Sequence, residues 1–268
     1  MEEIHESFKG IEKNMDSRAC GNCVSRVHCM QLAFEVTQLD SFPTEIIRTK
    51  KVNPGYRIYR NGDSMTHLYF IRRGYVKVEL ALPNGHHQVN QFSMPGDLLG
   101  LDGIAEKRHV LDATSLSDGE VCEIDFRKLT NLKRSKQNIH SILVSKMSRA
   151  LYLTQEHLFS LANHNSEQKL AYFLIAYQSR LHKLKLQVNT IKLPMNREDL
   201  TSYLGMTSET LSRAFSYLEK GQYIQVRNRM ISNVNYKKLN LLLEIDNDHP
   251  INISTKTPSP SLGLIKKL

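Results

Sequence analysis

Three cysteines lie within ten residues near the N-terminus: Cys20, Cys23 and Cys29, spaced Cys-x2-Cys-x5-Cys. The fourth, Cys122, stands more than ninety residues further on. Four thiolates are the ligand set of a closed tetrahedral zinc site or of a 4Fe–4S cluster. A pair two residues apart places both sulfurs on one metal or cluster without a long loop. A distant fourth ligand ties the N-terminal segment to the body of the fold, so gain or loss of the metal changes the protein's shape. His28, beside Cys29, is a further candidate zinc ligand. A thiol–disulfide switch is the third chemistry open to such a group. Cys122 taken alone also reads as a small core residue, in phase with Ile124 and Phe126 on one strand face.

A second constellation lies near the other end. Residues 196–213 have a helix–turn–helix layout. Asn196 is placed to cap the first helix, with Asp199 in capping-box position. Leu200, Tyr203 and Leu204 give that helix an apolar face. Gly205 permits the sharp turn, and Thr207 can cap the second helix. Leu211, Phe215 and Leu218 would bury the inner face of the second helix. Its outer face carries Glu209, Ser212 and Arg213 at i, i+3 and i+4. Arg can pair bidentately with guanine, Glu can accept from cytosine N4, and Ser serves as donor or acceptor. Arg197, Thr207 and Ser208 complete the candidate DNA-contacting set. After Gly221, Tyr223–Val226 and Met230–Val234 flank Arg227-Asn228-Arg229, which predicts a β-hairpin wing with two arginines near phosphate.

Charge agrees with this placement. The net charge is +9 and the pI about 9.3. From His164 to Ile245 there are 12 Lys and Arg against 6 Asp and Glu, a surplus of six that points to a polyanion.

The intervening chain must position both groups. At 268 residues the whole chain is long enough for two modest domains. From Tyr56 to Phe126 it reads as short strands: Val76, Val78 and Leu80 alternate with Tyr75, Lys77 and Glu79, and Asn84-Gly85 and Pro95-Gly96-Asp97 mark turns. An antiparallel β-roll is expected. From Lys136 to Asn163 no Gly or Pro interrupts a run in which Ile139, Leu143, Met147, Ala150, Thr154, Leu158 and Leu161 recur every three or four residues. This predicts one long helix whose seam meets a twin helix from a second subunit. A second helix is expected from about Ser166 to Leu184. The expected organisation is therefore α+β: a cysteine segment over 1–30, a β-roll sensor over 31–135, a dimerisation helix over 136–163, a winged helix over 164–246 and a loose tail over 247–268. With 40% hydrophobic and 24% charged residues, no leader and no membrane-length apolar run, a cytoplasmic protein is expected. No Gly-rich phosphate loop or Gly-x-Ser-x-Gly signature points to catalysis.

The chain resembles the oxygen-sensing fumarate and nitrate reduction regulators of the cyclic-AMP receptor protein superfamily. The resemblance runs from about Cys20 to about Leu243. It rests on the cysteine spacing, on Cys122 within Glu120-Val121-Cys122-Glu123-Ile124, on Gly96-Asp97-Leu98-Leu99-Gly100 and on Glu209-Thr210-Leu211-Ser212-Arg213. It implies a jelly roll like those that bind cyclic nucleotides, a dimerisation helix and a winged helix. It implies an oxygen-labile 4Fe–4S cluster on Cys20, Cys23, Cys29 and Cys122. It also implies that Glu209, Ser212 and Arg213 read half-sites resembling TTGAT in DNA, with RNA polymerase as a further partner. The nucleotide-binding branch grips phosphate with an Arg-Ser pair; the matching places here hold His109 and Val110, so no cyclic nucleotide is expected. Val24 stands where a small polar residue is common, and Thr154 leaves the seam without an acidic residue. A roll gated by a small organic effector is the alternative reading of the sensor.

Overall fold

The computed structural model describes residues 46–81, 85, 87–131, 136–184 and 190–243, with side chains of the long helix described from residue 140. Cys20, Cys23 and Cys29, Val24 and the tail beyond 247 lie outside the described residues.

Among the described residues the β-rich part has eight strands: β1 (Ile47–Val52), β2 (Arg57–Tyr59), β3 (His67–Arg73), β4 (Val76–Ala81), β5 (His87–Ser93), β6 (Leu98–Leu99), β7 (Asp112–Ser115) and β8 (Gly119–Asp125). They form two four-stranded sheets, ordered β1-β8-β3-β6 and β2-β7-β4-β5, with every pairing antiparallel. This is the expected roll. Its turns follow local chemistry. In the Pro95–Asp97 turn Gly96 adopts φ 97°, which a side chain would strain, and the Asp97 carboxylate accepts from the Met94 N–H at 2.8 Å.

Side-chain alternation on β3 divides two apolar clusters. Ile71 joins Tyr59, Val76, Val78, Leu99 and Ala113 between the sheets. Leu68 and Phe70 point the other way, onto Ile46, Met65, Ile124, Leu129 and Ile142. Leu129 belongs to α1 (Phe126–Thr130), capped by Asp125, and Ile142 to α2 (Lys136–Asn163). The second cluster therefore anchors the start of the long helix to the outer face of the β3–β8 sheet.

The remaining elements are α3 (Ser166–Lys183), β9 (Thr190–Lys192), α4 (Arg197–Leu204), α5 (Ser208–Lys220), β10 (Gln225–Arg227), β11 (Met230–Ser232) and α6 (Tyr236–Leu242). Strands β10, β11 and β9 make a three-stranded antiparallel sheet. Asn165 and Gln168 form a complete capping box on α3. The chain divides into two compact units. One runs to Leu158 and includes Pro194–Gly205; the other comprises Phe159–Leu193 and the chain from Met206 onward. The first helix of the helix–turn–helix thus belongs to the same compact unit as the roll.

Candidate functional site

The turn between α4 and α5 forms as its residues dictate. The Asn196 side chain accepts from the Asp199 N–H at 2.7 Å, and the Asp199 carboxylate accepts from the Asn196 N–H. Gly205 ends α4 in the left-handed conformation, φ 60°. Thr207 caps α5 by accepting from the Thr210 N–H at 3.2 Å. Leu211, Ala214, Phe215 and Leu218 are buried on the inner side of α5. Ser208, Glu209, Ser212 and Arg213 are all exposed. The Arg213 guanidinium donates to the Glu209 carboxylate across one helical turn, with both side chains about three-quarters exposed. Exposed pairs of this kind hold weakly, so the guanidinium is oriented yet exchangeable for a base edge. The Ser212 hydroxyl donates to the Ser208 carbonyl at 2.9 Å. Arg197 is exposed in the first turn of α4.

The wing is the β10–β11 hairpin, closed by Asn228 and Arg229, with Asn228 at φ 58°. Arg227 and Arg229 are both exposed. The Arg229 carbonyl accepts from the Leu193 N–H at 2.9 Å, which ties the wing to β9.

Cys122 lies on the central strand β8, opposite Thr49 of β1 and Phe70 of β3. It is half-buried and packs on the apolar cluster that includes Phe70, Ile124 and Ile142, with Leu143 and Phe126 at its edge. Its phase with Ile124 and Phe126 is as the sequence predicts. A cysteine thiol thus sits beside the anchor of α2. Among the described residues, no group of three or more His, Cys, Asp or Glu could hold a metal.

The roll holds a buried polar group that sequence reading treats only as a missing arginine. His109, 2% exposed, stacks on Tyr59 at 3.8 Å between ring centroids. Its Nδ1 lies 3.5 Å from the Asp102 carboxylate. Asp102 also accepts from the N–H groups of Val110 at 3.0 Å and Leu111 at 3.2 Å. Burial pushes the Asp102 carboxyl up, but the His109 hydrogen bond and those two amides outweigh it and hold its pKa below the ordinary carboxylate value. Burial, reinforced by Asp102, pushes the Tyr59 phenol up. The two backbone amides just before β7 are therefore filled by the chain's own carboxylate.

The long helix spans Lys136–Asn163 as expected. Leu143 is half-buried and packs against the roll's cluster beside Ile142. Ala150 and Leu161 are half-buried, and the side chain of Ile139 lies outside the described residues. The exposed line runs through Val144, Met147, Leu151, Thr154 and Leu158. Spaced alternately three and four residues apart, these hold strict heptad positions. Val144 and Leu151 are missing from the sequence reading. Both fall on the heptad count that runs through Met147, beside Ile142 and Leu143, which pack on the roll's cluster.

An antiparallel roll, a long helix and a winged helix with an exposed polar face make the architecture of a DNA-binding transcription regulator. Residues 49–136 match the cyclic nucleotide-binding domain family, and residues 168–242 match the Crp-like helix-turn-helix domain. The chain is 30% identical over 240 residues to electron transport regulator A of Shewanella oneidensis, covering 87% of this chain and 96% of that protein. It is 29% identical over 220 residues to the fumarate and nitrate reduction regulatory protein of Vibrio cholerae, covering 82% and 88%. The structure of FixK2 from Bradyrhizobium japonicum superposes with a TM-score of 0.67 at 25% identity, covering 74% of this chain and 97% of that one. The chain belongs to the fumarate and nitrate reduction regulators of the CRP/FNR family. Its activity is transcription regulation and not catalysis. Among the described residues, no helix is long and apolar enough to cross a membrane.

Proposed function

We propose that this chain is a cytoplasmic oxygen-responsive regulator that binds palindromic DNA as a homodimer in the absence of oxygen. Cys20, Cys23, Cys29 and Cys122 would hold a 4Fe–4S cluster, which when bound supplies an oxygen-labile crosslink between the N-terminal segment and β8. The observation that carries this reading is the position of Cys122, which packs on the same apolar cluster as Ile142 and Leu143. A restraint on Cys122 bears on the anchor of α2, and α2 presents the exposed heptad line to a second copy. Differential affinity for two states of that anchor is what a sensor requires. Glu209, Ser212 and Arg213 read bases, with Arg197, Thr207 and Ser208 around them, while Arg227 and Arg229 meet phosphate. RNA polymerase is the further partner.

His109 and Val110 stand in place of the phosphate-gripping pair, and Asp102 occupies the amides behind them. A nucleotide phosphate would meet a carboxylate there, so the reading excludes a cyclic nucleotide effector. Protein purified without air should absorb in the visible region and bleach in air, and Cys122→Ala should abolish both the colour and anaerobic DNA binding. A colourless protein with stoichiometric zinc would refute the cluster assignment.

A further inference from the structure

The first helix of the DNA-reading pair is clasped by the sensor's own compact unit, in which both lie. Strand β5 is the edge of its sheet, and edge strands leave N–H and C=O groups facing outward. Here Ser202 of α4 meets two of them. Its hydroxyl accepts from the Val89 N–H at 2.9 Å and pairs with the His87 carbonyl at 3.3 Å. The Gln88 side-chain amide donates to the Ser202 carbonyl. Val89 is fully buried, so its amide would be orphaned without that hydroxyl.

A second set of contacts matches one row of neighbours to another. Lys77 and Phe92 are direct cross-strand partners on β4 and β5. Asp199 and Tyr203 are one turn apart on α4. Lys77 donates to Asp199 at 2.8 Å while also pairing with Glu79 at 3.0 Å. Asp199 is 5% exposed. Phe92 packs on Tyr203 at 5.0 Å between centroids, and Tyr203 also stacks on His157 of α2 at 4.0 Å. Helix α4 is therefore gripped by the hairpin and by the long helix together.

We infer that the β4–β5 edge and His157 form an intramolecular docking site for α4, with Ser202, Lys77–Asp199 and Tyr203 as its keys. Only Gly205 and Met206 separate α4 from the Thr207 cap of α5, so holding α4 restrains the recognition helix. The clasp gives the roll and the long helix a joint handle on DNA reading. This consequence rests on the DNA-binding role of α5; the clasp itself does not.

The test uses the full chain with Ser202→Ala, Ser202→Thr and Lys77→Met, none of which alters a base-reading residue. Hydrogen exchange at the Val89 amide is followed first. Affinity is then measured for a duplex bearing two half-sites and for one bearing a single half-site. Ser202→Ala should accelerate Val89 exchange at least about tenfold, since a buried hydrogen bond is lost, with circular dichroism unchanged; Ser202→Thr should restore protection. Ser202→Ala and Lys77→Met should each weaken two-half-site binding about tenfold while sparing the single half-site, because a freed reading head loses preorganised spacing. Native Val89 exchange in Ser202→Ala overturns the clasp. Altered exchange with unchanged two-half-site affinity overturns its control of DNA reading. If native protein binds neither duplex, the DNA-reading role fails and the exchange result alone decides the clasp.

Discussion

Replacing Leu151 with alanine should weaken the dimer and leave the subunit folded. Leu151 is 60% exposed on α2, in line with Val144 at 63%, Met147 at 45% and Leu158 at 58%. Complete burial of a leucine side chain is worth about 1.5–3 kcal/mol, so covering the exposed part contributes about 1–2 kcal/mol per copy. A symmetric pair of helices doubles this to about 2–4 kcal/mol. Alanine retains a methyl, so the loss is about 1.4–2.5 kcal/mol, or about ten- to sixtyfold in the dimer dissociation constant. Sedimentation equilibrium across a concentration series measures it directly. The subunit itself should melt at the native temperature at a concentration where both proteins are monomeric, because Leu151 contributes little to its core. Ile142→Ala is the contrasting variant: Ile142 is 6% exposed within the roll's cluster, and its truncation should cost about 2–4 kcal/mol of folding stability. A Leu151→Ala dissociation constant within twofold of native would refute the assignment of this line as the dimer surface.

Arg213→Ala should weaken cognate DNA binding by about 1–3 kcal/mol and relax specificity at one base position, measured by fluorescence anisotropy on a panel of sites. Equal weakening on every sequence would make Arg213 a phosphate anchor. Asn196→Ala should cost about 1 kcal/mol in denaturant unfolding, because it removes the acceptor for the Asp199 amide. Burial, with Lys169 nearby, depresses the His164 pKa. The unfolded state therefore binds a proton before the folded state does. The resulting stability is complete above the unfolded value of about 6.5 and declines as pH falls through the folded one. Melting temperatures between pH 7.5 and pH 5 should fall more steeply in the native protein than in His164→Gln.

The strands of the roll, the long helix, the capping box at Asn196 and the Gly205 turn were legible because each follows from local chemistry. Alternation with period two, an unbroken run of helix formers and an amide seeking an acceptor all act within a few residues. The exposure of Glu209, Ser212 and Arg213 was legible for the same reason, since burying Leu211, Phe215 and Leu218 turns the opposite face outward. What no local rule supplies is a choice between equivalent neighbours. Leu143 and Val144 both suit a helix seam; the roll's need for apolar surface above Phe70 takes the first and leaves the second in the exposed line.

The sequence by itself marked the candidate residues: four thiols, a polar face on α5 and a pair of wing arginines. Tertiary structure alone decided which partners the described side chains meet. It set Cys122 against the anchor of α2, filled the amides behind His109 with Asp102, and paired Ser202 with the edge of β5. These contacts join residues as far apart in the chain as Val89 and Ser202, and no periodicity records them. They arise because buried amides, carboxylates and apolar faces must each find a partner, and the partner available is set by the packing of the whole unit.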